Sequence, residues 1–158
     1  MKSIRLSRIV VVADSDQGNL LTARLRRMDV AEVTAVTGLE EARRLCQAGS
    51  ADACLVAVGS AVPDCVPAAE GEAPGRSCGI PTLMIASVVT PHVRQAARRW
   101  GYLGAVSATI PPRMLYRRIR AALQNRRRAE RARPRYSARL LPFAGLPDHG
   151  AFGKPTLH

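Results

Sequence analysis

One short run, "RIVVVA" at positions 8–13, narrows the folds open to this chain more than any other feature. After Arg8 it is wholly apolar and rich in β-branched residues. A strand with one wet face alternates polar and apolar residues; a strand without that alternation must be covered on both faces. Similar runs return at 31–36 ("AEVTAV"), 52–58 ("DACLVAV"), 80–87 ("IPTLMIAS") and 102–107 ("YLGAVS"). Segments of helical period separate them. Leu21, Leu25 and Met28 mark a helix over about 17–28, with Ser15 or Asp16 as its N-cap. Leu39, Ala42, Leu45 and Cys46 share one face of a second helix that Gly49 stops. Thr90 and Pro91 open a third helix as N-cap and first residue, with Val93, Ala96, Ala97 and Trp100 on its buried stripe. After Pro111 and Pro112 a last helix places Leu115, Ile119, Ala122 and Leu123 on one side. Strands alternating with helices predict an α/β protein with a doubly wound, five-stranded parallel sheet between two helical layers.

The link between the third and fourth strands breaks the pattern. Residues 59–79 hold Pro63, Pro67 and Pro74 with four glycines, so the segment reads as a long loop with a short helical turn. Beyond Leu123 the pattern changes again. Arg126, Arg127 and Arg128 occupy all sides of a continuing helix, which is expected to project into solvent until Pro134. The sequence divides into a body (1–124), an Arg-rich helical extension (125–134) and a tail (135–158) whose prolines and glycines predict disorder. That tail also holds both phenylalanines of the chain, Phe143 and Phe152.

Charge sharpens this division. The formal net charge is +12 over 158 residues. Residues 113–139 carry eleven arginines against a single acid, Glu130, so the body is close to neutral. Arg113, Arg117, Arg120, Arg127 and Arg131 recur at helical spacing and form one stripe. With Tyr116 and Phe143 they are the candidate contacts for a partner protein or a polyanion, whether nucleic acid, acidic lipid or an acidic protein face. No helix-turn-helix, zinc finger or RNA-binding aromatic motif accompanies them.

Other chemistry is thin. The four cysteines, Cys46, Cys54, Cys65 and Cys78, form neither a C-x-x-C pair nor a disulfide framework, and reduced, mostly buried thiols are expected. Cys65, Cys78 and His92 match no zinc spacing. No nucleophile elbow and no phosphate-binding loop occurs. The apolar N-terminal stretch is too short for a signal peptide, Asp14 interrupts it, and no run approaches a membrane span, so a cytoplasmic location is expected. The abundance of alanine and arginine fits a GC-rich bacterial genome.

An open parallel sheet places its site at the carboxyl ends of its strands, which directs attention to 13–16, 57–59, 86–87 and 107–109. The layout of five β-α units over 8–123, with "RIVVVADSD", "DACLVAV", "IPTLMIAS" and "WGYLGAVSATIPP", resembles the receiver domain of bacterial two-component response regulators, the CheY-like branch of flavodoxin-type folds. The resemblance implies an acidic pair that holds Mg²⁺, a phospho-accepting aspartate, a hydroxyl residue and a lysine. These positions fall on Ala13 and Asp14, on Ala57, on Ala86 (with Ser87 beside it) and on about Ala108. Asp14 and Asp16 remain as a weak, remnant metal site, and no further cofactor is expected. Aspartyl phosphorylation needs a nucleophilic oxygen, a metal and a cation, and Ala57, Ala86 and Ala108 supply none.

The reading is therefore a non-enzymatic pseudo-receiver that acts through protein contacts. It includes possible self-association through the face of its fourth helix, fifth strand and fifth helix, where Arg94, Arg98, Trp100, Tyr102, Tyr116 and Arg117 are expected. Two alternatives stand beside it. One is a nucleic-acid-binding protein using the Arg-rich helix. The other is a phosphorelay receiver with an unconventional acidic site at Asp14, Asp16 and Asp64.

Overall fold

A computed structural model describes residues 7–58 and 71–132. Its elements run β1 (Arg8–Val12), α1 (Ser15–Arg27), β2 (Glu32–Val36), α2 (Leu39–Gln47), β3 (Ala53–Val58), β4 (Thr82–Ala86), α3 (Pro91–Arg99), β5 (Gly104–Ser107) and α4 (Pro112–Ala132). The five strands form one sheet in the order β2-β1-β3-β4-β5, and every pairing is parallel. The doubly wound α/β sandwich expected from the sequence is present.

Strand alternation divides the core into two layers. Ile9, Val11, Leu55, Leu83, Ile85 and Val106 face Leu21 and Leu25 of α1 and Leu115, Ile119 and Leu123 of α4. Val10, Val12, Cys54, Val56 and Met84 face Ala42 and Cys46 of α2 and Val93 and Ala97 of α3. Each fully buried Leu, Ile or Val contributes about 1.5–3 kcal/mol of transfer free energy, so the two layers supply most of what holds the sheet.

The helix ends follow local chemistry. The backbone of Asp14 is extended and its side chain accepts a hydrogen bond from the Gln17 amide at 2.8 Å, which makes it the N-cap of α1. The expectation that Ser15 or Asp16 caps this helix is corrected: both lie inside its first turn. Gly49, in the left-handed region, follows α2 as expected. Thr90 caps α3 by accepting from the Val93 amide at 3.2 Å.

Approaching β4, the chain turns tightly at Gly75. The Ile80 amide donates to the Gly75 carbonyl at 2.9 Å, and the Gly75 amide donates to Thr82 Oγ1 at 3.3 Å. A Cβ on Gly75 would lie 2.2 Å from the Ile80 carbonyl oxygen, which is backbone and cannot move aside cheaply.

α4 continues unbroken through residue 132, and Arg126 still grips the body. Its Nη1 donates to the Asp52 carbonyl at 3.2 Å and its Nε to Glu130 at 2.7 Å. The expectation that the helix leaves the body at the arginine run is corrected at this residue, because a long side chain reaches back where no apolar face remains. The tail, with Phe143 and Phe152, most of the 59–79 loop, Asp64, Cys65 and Pro134 lie outside the described residues.

Gly75→Ala is expected to lower stability by about 1–3 kcal/mol, the usual cost of forcing atoms into a filled space. Thermal unfolding followed by circular dichroism checks it; an unchanged Tm would contradict the close approach.

Candidate functional site

The carboxyl edge of the sheet is built by β1, β3, β4 and β5. Residues paired in register in a parallel sheet share a face. Val12 pairs with Val56, and Ala57 pairs with Ile85. Ala86 pairs with Ser107. Ala13, Ala57 and Ala108 therefore fall on the layer of α1 and α4, where all three pack against the apolar cluster.

Ala86 lies on the opposite layer, among the residues facing α2 and α3, and is 4% exposed. The hydroxyl-bearing residue that follows Ile85 on the Ala57 side is Ser87, which is exposed. The sequence reading set the hydroxyl position on Ala86 with Ser87 beside it; the structure buries Ala86 and exposes Ser87.

The acids at this edge are differently employed. Asp14 is solvent-exposed, and one carboxylate oxygen is committed to the Gln17 amide. Asp16 is exposed on the first turn of α1. Behind them Ala13, 6% exposed, presents a methyl group.

Among the described residues no three His, Cys, Asp or Glu side chains are grouped to hold a metal ion. Mg²⁺ seeks hard oxygen ligands in octahedral array. A capping carboxylate and a solvated one, set before methyl groups, do not fit it. Asp52 lies at the far end of β3, accepting from the Arg8 amide at 2.9 Å with Arg8 Nε at 3.6 Å.

The fifth-strand end is closed by its own bonds. The Ala108 amide donates to the Ala86 carbonyl at 2.8 Å. The Ala108 carbonyl accepts from Arg24 Nη1 of α1, also at 2.8 Å. Ser107 and Thr109 pair their hydroxyls at 2.9 Å. Arg24 thus brings a cation to this segment from a different element, a contact no local sequence signal marks.

The basic stripe of α4 forms a second candidate site. Arg113, Arg117, Arg120 and Arg131 are exposed, Arg127 is half-buried, and Tyr116 packs partly against the core. The first two turns of α4 face the end of α1 across an open cleft of about 520 Å³. Arg27, Met28 and Asp29 line one wall, and Pro112, Arg113, Tyr116, Arg117 and Arg120 the other. The sequence reading found the α4 wall and missed the α1 wall, whose signal was the "RLRRMD" ending of that helix.

Of the proposed contact face beside β5, Arg94 and Arg98 are exposed. Trp100 is half-buried over Gly71, where a Cβ would stand 3.2 Å from the ring. Tyr102 is only 5% exposed, and burial raises its hydroxyl pKa above the ordinary value. It is a core residue, which corrects its placement on that face. Cys46 and Cys54 are buried as expected. The neighbouring Cys54 thiol lowers the Cys46 pKa, while Cys46 and burial raise that of Cys54. Half-buried Cys78 joins them at the edge of this core layer, whereas His92 is exposed.

No family model matches the chain, and no curated protein matches it in sequence. Solved structures do match in fold. The signal receiver domain of a modulated diguanylate cyclase from Desulfovibrio desulfuricans is 21% identical over 78% of this chain and 98% of its own, with a TM-score of 0.60. A CheY-like response regulator receiver domain protein from Methanospirillum hungatei is 16% identical over 78% and 98%, with a TM-score of 0.59. The N-terminal receiver domain of RstA from Klebsiella pneumoniae is 21% identical over 73% and 97%, with a TM-score of 0.54. The chain has the fold of receiver domains.

Asp14→Ala is expected to cost about 0.5–2 kcal/mol, the usual value of an N-cap, whereas Asp14→Asn should stay near the parent because Asn caps equally well. Urea unfolding of both variants checks this. Equal destabilisation by Ala and Asn would show that the charge, not the cap, is what matters.

Proposed function

We propose that this chain is a receiver-fold regulatory module that acts in signal transduction by contacting another protein, without forming an aspartyl phosphate. The observation that carries the reading is the apolar carboxyl edge: Ala13, Ala57 and Ala108 pack with the core on the side where a receiver would need acid, nucleophile and cation. Phosphoryl transfer to a carboxylate requires all three together. The body keeps the architecture, and with it the surfaces through which such a domain communicates.

The surface assigned to the partner, or to a second copy, is the side of edge strand β5 with α3 and α4. It offers exposed Arg94 and Arg98 on α3, with exposed Leu103 just ahead of β5. Arginine at the rim of an apolar contact is a common interface composition. No helix of the described residues is long and apolar enough to cross a membrane. The receiver-type fold supports a regulatory binding role.

The experiment is incubation of the full chain with acetyl phosphate and Mg²⁺, followed by intact mass. The expected spectrum is unchanged. A stoichiometric gain of one phosphoryl group, stable in acid and released by hydroxylamine, would overturn the reading.

A further inference from the structure

We infer that the cleft between the end of α1 and the start of α4 binds the phosphate backbone of a nucleic acid, without reading its sequence. The inference is independent of whether the carboxyl edge is phosphorylated.

Four guanidinium groups line this cleft, from Arg27, Arg113, Arg117 and Arg120, against one carboxylate, that of Asp29. All four arginines are exposed. Among the described residues none of them has an acidic side chain within ion-pair distance, whereas Arg8, Arg43, Arg44, Arg76 and Arg126 each do. What sets these four apart from the other exposed arginines is that they gather around one concavity, with a single carboxylate in its lining. Concentrating one sign of charge in a cleft focuses the field on an incoming polyanion.

The geometry favours an extended ligand. Arg113, Arg117, Arg120 and Arg131 share one stripe of a single helix, α4. From Arg113 to Arg131 that stripe is about 27 Å long at the rise of an α-helix, equal to about eight base pairs of duplex. The cleft opens one end of this stripe. A guanidinium fork matches two phosphate oxygens at once, which an ammonium cannot do.

The same surface is a poor match for an acidic protein. Protein interfaces have an apolar, charge-depleted centre. None of the exposed large apolar residues, Leu20, Val88, Leu103 and Met114, lines the cleft. Its apolar floor is limited to Met28, Pro112 and part of Tyr116, with charge all round. Nucleic-acid interfaces are more polar and more positive than protein ones. The lining is guanidinium groups around an open concavity, which suits contact to phosphate.

The wall supplied by α1 is fixed by its terminus. Asp29 adopts the left-handed conformation, φ 56°. The Val30 amide donates back to the Leu25 carbonyl at 3.3 Å and the Asp29 amide to the Arg26 carbonyl at 3.1 Å. This turn sets Met28 and Asp29 against α4. Asn tolerates the left-handed region, so Asp29→Asn removes the opposing charge without disturbing the turn.

The test is fluorescence anisotropy of the full chain with a labelled duplex DNA of about 20 base pairs across a salt series, since binding to phosphates displaces counterions. Binding at low salt is expected, with log K falling against log salt at a slope of about −4. Arg113→Gln/Arg117→Gln/Arg120→Gln, all at exposed positions, should weaken binding and flatten that slope by about 2 to 3. Asp29→Asn should tighten binding. Duplex RNA bound within a few-fold of DNA supports the phosphate contact. No binding at low salt, a slope unchanged in the triple variant, or equal competition by poly-glutamate would overturn it.

Discussion

In a parallel sheet a shift of one residue in register sends every apolar side chain of a strand to the opposite layer. Here β1, β3, β4 and β5 are apolar on both sides, so each is locked by two cores at once. The rest of the molecule depends on that lock. It fixes which helices cover which face, and it carries Ala13, Ala57 and Ala108 together to the carboxyl edge. The same parity turns Ala86 into the opposite layer. At that edge the three methyl groups pack against the core, with exposed Asp14, Asp16 and Ser87 beside them.

Two sets of arginines stand out for different physical roles. Arg8, Arg24 and Arg126 reach backbone carbonyls across the structure: Gly49, Ala108 and Asp52 respectively. These bonds join elements distant in sequence, and the accompanying exposed ion pairs add little: an i,i+4 pair such as Arg126–Glu130 is worth about 0.3–0.5 kcal/mol. Arg27, Arg113, Arg117 and Arg120 instead surround a cleft. Their mutual repulsion is tolerated in water and screened by salt, but it offers nothing to the fold. An arrangement that is neutral to stability and concentrated in a concavity is better explained by what it meets than by what it holds.

Much of this was legible in the chain because the strongest signals are local. Doubly buried strands lack polar alternation, and the helices repeat apolar residues every three or four positions; both survive without knowledge of the fold. Thr90-Pro91 and Gly49 marked helix ends through backbone chemistry that belongs to those residues. The errors arose where several residues were equally qualified or where distance in sequence hid proximity. Asp14, Ser15 and Asp16 are all good caps, and only the extended backbone of Asp14 decides among them. That Ala86 is buried in the layer of α2 and α3 while Ser87 is exposed depends on the register of β4 against β3, which composition does not carry. Arg27 and Arg113 lie far apart in the chain, and their shared cleft exists only after α1 and α4 pack on one face. Tyr102 looked like an interface residue by type and is instead consumed by the core.

The central claim is that the receiver architecture persists here with its reaction centre replaced by packed methyl groups. The most direct measurement is a Mg²⁺ titration of the ¹⁵N-labelled full chain followed by NMR, reading the amides of Ala13, Asp14, Ala57, Ser87 and Ala108. The account predicts only small, non-saturating shifts at these positions, no larger than those elsewhere on the surface. A saturable set of shifts confined to them would contradict it, because a metal would then be bound where the structure places apolar side chains.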